Sequence, residues 1–244
     1  MRNIKLTLEY DGKDFFGFQK QKRTRTVQSE LEAAFQKLFR EKIKLAAAGR
    51  TDSGVHAEAQ VVSFKTRSKL PVSKIKLGLN YYLPKDLAVT EAKEVSLKFH
   101  AQFSARWKTY EYRVWNSSAR SPLNRFCTFH VPYALNCSKM KQAAKLLLGK
   151  HDFRVFESSR GRRKNAVRTI RKLLIQKKGY GVYFTIESDG FLYKMVRSMA
   201  GTLLEVGSGR LSIARFKEIL TSPNKELMGA VVPPQGLVLK EVRY

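Results

Sequence analysis

Hydrophobic and polar positions alternate along residues 3–10, with Ile4, Leu6, Leu8 and Tyr10 on one face and Lys5, Thr7 and Glu9 on the other. A period of two marks a half-buried strand. Asp11-Gly12 ends it, and the aromatic loop Phe15-Phe16-Gly17-Phe18-Gln19 follows. From Val27 the period changes. Val27, Leu31, Ala34, Phe35, Leu38 and Phe39 recur at helical spacing behind Thr26, a residue type that caps helices and here starts one expected to pack on a sheet. The pattern then predicts strands over 43–48 and 60–65, a short helix over 71–79 halted by Pro84, and a strand over 89–95.

Residues 108–116 alternate again, with Tyr110, Tyr112 and Val114 opposite Glu111, Arg113 and Trp115. Ser138 suits the cap of a helix carrying Met140, Ala143, Ala144, Leu147 and Leu148, which Gly149 ends, and His151-Asp152-Phe153 reads as a turn. A hairpin is predicted over 167–176 and 180–188, a helix over 191–206, another from Ser212 to Leu220, and a last strand in the tail. Strands and helices thus follow in two similar runs, an α+β pattern. The expected halves are 1–103 and 104–244. Their junction, Phe99 to Arg106, has no Gly or Pro character. The halves are therefore expected to be fused through one mainly antiparallel mixed sheet, with helices packed outside and a central basic cleft.

Charge narrows the function. There are 47 Lys plus Arg against 20 Asp plus Glu, a formal net charge of +27. Such self-repulsion is relieved by a polyanion, and nucleic acid fits best because neutralised phosphates release counterions. A membrane partner is not expected, since no apolar run is long enough to span a bilayer and no amphipathic segment has a polar face of Lys and Arg alone. The first residues read straight into a strand with no signal-like apolar region, and Cys127 and Cys137 are the only cysteines. A cytoplasmic location is the expectation.

Four histidines, His56, His100, His130 and His151, show no metal-ligand spacing, and no zinc site is expected. No phosphate loop and no Ser-His-Asp or Cys-His signature is present. The chemistry falls to carboxylate, arginine and tyrosine. Asp52 stands in Gly49-Arg50-Thr51-Asp52-Ser53-Gly54-Val55-His56-Ala57, beside Arg50 and between glycines that permit a tight backbone. Taken alone, this stretch reads equally as a turn. Arg197 sits at the margin of its helix's apolar stripe. It either snorkels outward or points into a cleft, where it needs a carboxylate partner such as Asp52. An ion pair would keep that carboxylate ionised and able to serve as a nucleophile. Tyr110 and Tyr112 offer flat faces for a base, or core packing. The run Lys20, Lys22, Arg23 and Arg25 is a phosphate-binding stretch or a solvated loop. Residues 158–172 form a second, denser basic segment.

Several ordered motifs carry a resemblance. They are the 49–57 stretch, Phe16-Gly17-Phe18-Gln19, Phe99-His100-Ala101 with Phe103-Ser104-Ala105, Tyr110-Glu111-Tyr112-Arg113, His151-Asp152-Phe153, Phe191 to Arg197, and Pro233-Pro234-Gln235-Gly236-Leu237. Together they resemble the tRNA pseudouridine synthase A (TruA) family along nearly the whole chain. The resemblance implies the pseudouridine synthase fold and isomerisation of uridine to pseudouridine at positions 38, 39 and 40 of the tRNA anticodon stem-loop. It also implies a homodimer with no metal or organic cofactor. By motif position Asp52 is the nucleophile, Tyr112 the tyrosine stacked on the target base and Arg197 the partner of the aspartate. Arg50 helps flip and hold the nucleotide. The other candidate RNA contacts are Tyr110, Phe18, Gln19, Lys20, Lys22, Arg23, Arg25 and His56. Two alternatives stand beside this reading: a catalytically idle RNA-binding or folding-helper protein, and a synthase acting on ribosomal RNA, which the excess of cations would suit.

Overall fold

The computed structural model describes residues 1–158, 165–221 and 228–244. In chain order its elements are β1 (Arg2–Tyr10), α1 (Val27–Phe39), β2 (Leu45–Ala47), β3 (His56–Thr66), α2 (Val72–Tyr82), β4 (Leu87–Val95), β5 (Trp107–Asn116), β6 (Phe129–Val131), α3 (Cys137–Lys145), β7 (Gly149–Asp152), β8 (Val167–Lys178), β9 (Gly181–Ser188), α4 (Met195–Ser208), α5 (Ile213–Thr221) and β10 (Leu237–Arg243). They gather into two units. One is Met1–Arg106 with Val238–Tyr244, and the other is Trp107–Leu237. The final strand, placed with the second half by sequence order, is thus counted with the first unit.

In the first unit the strands lie in the order β4, β1, β3, β10, with β2 also on β3. β1 runs antiparallel to both neighbours. β10 is parallel to β3 through Val238 opposite His56 and Leu239 opposite Ala57. The predicted alternation holds, since Ile4, Leu6 and Leu8 are wholly buried. Thr26 starts α1 with a reciprocal cap. Its hydroxyl accepts the N–H of Ser29 at 3.2 Å, and the Ser29 hydroxyl accepts the N–H of Thr26 at 2.9 Å. The apolar stripe of α1 meets the sheet through Phe35 and Phe64, whose ring centroids are 4.7 Å apart.

Several boundaries moved. β2 is shorter than the predicted 43–48, because only Leu45 to Ala47 pair in register with β3, although the N–H of Ala48 still reaches the Val61 carbonyl at 2.8 Å. β3 starts at His56 rather than 60, held from its first residues by β1 and β10. α2 continues to Tyr82, and Leu83, the residue before Pro84, turns to an extended conformation, as its steric conflict with a following proline requires.

In the second unit the order is β5, β9, β8, β7, with β6 parallel beside β5. Tyr110, Tyr112 and Val114 are buried, and Glu111, Arg113 and Trp115 are half-buried. α3 is capped by Asn136 rather than Ser138, its side-chain oxygen accepting the N–H of Lys139 at 3.0 Å. His151-Asp152, expected as a turn, belongs to β7 because it pairs with Arg168 and Val167 of β8. α4 starts at Met195 instead of 191, since Lys194 adopts a left-handed φ of 59° that no helix continues. Almost every residue of α4 is buried, its polar Arg197, Ser198 and Thr202 included, and only Glu205 and Ser208 are left partly exposed. Of the second basic segment, Arg168, Arg171 and Lys172 lie on β8, and Arg160, Arg162, Arg163 and Lys164 lie outside the described residues.

Candidate active site

In the first unit the Asp52 stretch connects the end of β2 to β3 and is strapped down by main-chain contacts. Gln60 donates its side-chain N–H to the Gly49 carbonyl at 2.9 Å. The N–H of Phe18 reaches the Thr51 carbonyl at 3.1 Å, and the N–H of Gly54 reaches the Phe15 carbonyl at 3.3 Å. The Ser53 hydroxyl donates to that same carbonyl at 3.2 Å. The N–H of Val55 closes a turn on the Asp52 carbonyl at 3.2 Å. Gly54 supplies that turn with a φ of 78°. From below, Tyr10 and Thr51 share a hydrogen bond of 2.8 Å. Burial pushes the Tyr10 hydroxyl up to about 12, against hydrogen bonds from Thr51 and Gln60, so it remains a neutral strut. Asp52 is half-buried, and Arg50 points to solvent. A partly exposed carboxylate on a rigid loop can meet a ligand without the loop reorganising.

His56 closes this cluster as the first residue of β3, with 9 % of its surface exposed. The N–H of Gly12 donates to its Nδ1 at 3.0 Å, and an Asp11 carboxylate oxygen lies 3.0 Å from the same nitrogen. The first contact needs a lone pair on Nδ1, the second a proton, so the two compete for one atom.

The basic run divides. Gln19, Lys20, Lys22 and Arg23 are exposed, and Lys20 is engaged with Glu32 at 2.7 Å. Arg25 is not a free phosphate contact. Its guanidinium forms two bonds of 2.7 Å to Asp86 and one of 3.0 Å to Glu30, and it lies 4.3 Å over the Phe15 ring. Phe18, a candidate RNA contact, is only 2 % exposed, whereas Phe16 is 57 % exposed. The loop's accessible ring is therefore Phe16. Phe15 and Phe18 are its core plugs.

In the second unit Tyr112 has no exposed surface, and Tyr110, with 8 % exposed, meets Phe191 edge to face at 5.0 Å. The Tyr112 hydroxyl donates to the Pro233 carbonyl at 2.9 Å. Gly236 passes so near the ring that a Cβ there would sit 2.8 Å from Cζ. Arg197, in the first turn of α4, is 8 % exposed and donates from Nε to the Val232 carbonyl at 2.7 Å. Arg197 therefore does not snorkel. Burial raises the Tyr112 pKa far above the ordinary phenol value, and the positive charge of Arg197 opposes that rise.

The carbonyls of Val232 and Pro233 were missed from sequence, because every residue has one and no side chain marks it. The Pro233-Pro234 pair is the available signal, since two prolines stiffen the backbone there. Among the described residues no group of three or more His, Cys, Asp or Glu is placed to hold a metal ion. No helix among them is long and apolar enough to cross a membrane.

The family described as tRNA pseudouridine synthase matches residues 7–104 and 143–244, which include Asp52 and Arg197. The chain belongs to the tRNA pseudouridine synthase family. It is 43 % identical over 244 residues, the full length of both chains, to tRNA pseudouridine synthase A 2 of Clostridium perfringens. It is equally 43 % identical, over the full length of both, to tRNA pseudouridine synthase A of Acetivibrio thermocellus. To the Thermoanaerobacter sp. protein of that name it is 41 % identical, again over the whole of both chains.

Proposed function

We propose that this chain is an isomerase that converts uridine to pseudouridine in tRNA, at positions 38, 39 and 40 of the anticodon stem-loop. It works in the cytoplasm as a homodimer, without metal or organic cofactor, and Asp52 is its nucleophile. The observation that carries the reading is the end-to-end match, at 43 % identity, to relatives named for this activity.

The reaction breaks the C1′–N1 bond and forms C1′–C5. The C5 hydrogen leaves as a proton, and N1 gains one, so no atom is added and no electron is lost. The target must first leave its stack, at a cost of roughly a few kcal/mol. Arg50, exposed two residues from Asp52, holds the backbone of the displaced nucleotide. Tyr112, wholly covered in this structure with its hydroxyl on the Pro233 carbonyl, takes the part of the stacking floor only once its cover is displaced by the incoming base. Arg197 supplies the counter-charge, its Nε fixed on Val232.

The excess of cations keeps a second reading in view, in which ribosomal RNA is also a substrate. One experiment tests both. Total RNA is incubated with wild-type or Asp52→Ala protein and its pseudouridines are mapped. New modification in tRNA that requires Asp52 is the expected outcome, and Asp52-dependent sites in ribosomal RNA select the second reading. Modification by Asp52→Ala at the wild-type rate sinks the nucleophile. RNA binding without any modification by wild type leaves the idle binder.

A further inference from the structure

The second unit holds a cavity of about 510 Å³ that the reaction above does not use, lined by Trp115, Arg120, Arg125, Phe129, His130 and Pro233 among others. Among the described residues no Asp or Glu lines it. In a chain this basic, an arginine near a cavity is commonplace. Here the surrounding groups are set in specific orientations.

The indole N–H of Trp115 is already satisfied by the Ala119 carbonyl at 3.0 Å, so what the ring offers is its face. Tyr180, 61 % exposed, extends that aromatic surface, with its ring centroid 5.3 Å away. Arg125 is braced by the Pro122 carbonyl and lies 4.0 Å over the Phe126 ring. His130 Nε2 lies 2.8 Å from the Ser117 carbonyl. A carbonyl only accepts, so Nε2 carries the proton and Nδ1 of the neutral ring keeps a lone pair. Neither Arg120 nor Arg125 has a carboxylate partner among the described residues. A volume near 510 Å³ lies within the range of small-molecule sites.

Two cationic forks, a flat aromatic face and an acceptor match one ligand chemistry, a ribonucleotide with its phosphate, base and 2′-hydroxyl. We infer that this cavity binds an unpaired nucleotide of the RNA substrate, with the phosphates on Arg120 and Arg125 and the base on Trp115. The nucleotide held there is not the one that reacts, because among the described residues no carboxylate lines the cavity to attack it. Pro233 links this subsite to the reaction, since it lines the cavity and its carbonyl anchors Tyr112. The inference rests on RNA being the substrate and is independent of which uridine is isomerised.

Trp107 and Trp115 are the only two tryptophans, so a Trp107→Phe protein reports Trp115 emission alone. That protein is titrated with a tRNA transcript and with free uridine monophosphate. Quenching by tRNA, with the midpoint seen by fluorescence anisotropy, is expected, as is little response to the monophosphate at the same concentration. In parallel, Arg120→Ala/Arg125→Ala should raise the Kd for tRNA about tenfold. It should also lower the magnitude of the log Kd–log salt slope by about 1.4, two single-strand phosphates at about 0.7 each. Absent quenching, or an unchanged slope, overturns the subsite, and tight quenching by the monophosphate makes it a free-nucleotide site instead. Quenching and slope change without pseudouridine formation leave the subsite standing and remove the proposed reaction. Pseudouridine formation without quenching removes the subsite alone.

Discussion

The carbonyl of Thr51 faces Gly17 so closely that a Cβ on residue 17 would sit 2.8 Å from its oxygen. Gly17 also holds a φ of +85°, a conformation L side chains rarely adopt. The aromatic loop and the Asp52 stretch therefore approach backbone to backbone, and the next residue, Phe18, bonds to that same carbonyl at 3.1 Å. Gly17→Ala is expected to cost about 1–3 kcal/mol in strain, read by denaturant unfolding. Displacing the Asp52 loop should slow pseudouridine formation about ten- to a hundredfold. Release of tritium from C5 of labelled uridine in tRNA measures that rate. Loss of stability with turnover intact would show that the strap does not position Asp52.

Lys22 and Arg23 have no acidic partner among the described residues, whereas Arg25 is tied to Asp86 and Glu30. Lys22→Glu/Arg23→Glu should weaken tRNA binding and flatten its salt dependence while leaving the melting temperature near wild type. Arg25→Ala should do the reverse, lowering the melting temperature and changing the salt slope little. Equal slopes for all three proteins would make the exposed pair a solvated loop.

The Arg25 guanidinium, bonded twice to Asp86, holds that carboxyl below its usual range. A folded-state pKa below the unfolded value, near 3.9, contributes stability that is present above it. That stability disappears as pH falls through the unfolded and then the folded value. Asp86→Asn should be less stable than wild type at pH 7, and the difference should shrink as the pH is lowered below about 4. Urea unfolding across pH 7 to 2 checks this, and a difference that grows toward acid would refute the assignment.

Burial raises the Tyr112 pKa, so the sign at this residue is opposite. Its stabilising share is complete below the unfolded phenol value near 10 and is lost as pH rises above it. Tyr112→Phe should therefore flatten the alkaline limb of the stability profile. At pH 7 it should also cost about 1–3 kcal/mol, because the Pro233 carbonyl loses its donor. Thermal melts from pH 8 to 11 separate the two effects, and an alkaline limb identical to wild type would contradict a buried, neutral phenol.

Much of the fold was present in the order of residues. The alternation in β1 and β5, the stripe of α1 behind Thr26 and the apolar stripe of α4 each follow from local periodicity. Boundaries were less legible. β2 and β7 exist only where a partner strand is available, and α4 waits for Lys194 to turn left-handed.

The sequence by itself determined the family and the α+β class, because these depend on residue types and their spacing. Only the tertiary structure decided what each cation and ring is available for. Arg25 is bound to Asp86, Phe18 is a core plug while Phe16 is exposed, and Arg197 is turned inward to the Val232 carbonyl. A guanidinium or a phenyl ring is the same group in every context. Whether it can meet RNA depends on which distant carboxylate, carbonyl or side chain has already taken it, and those partners come from separations of 35 and 61 residues along the chain.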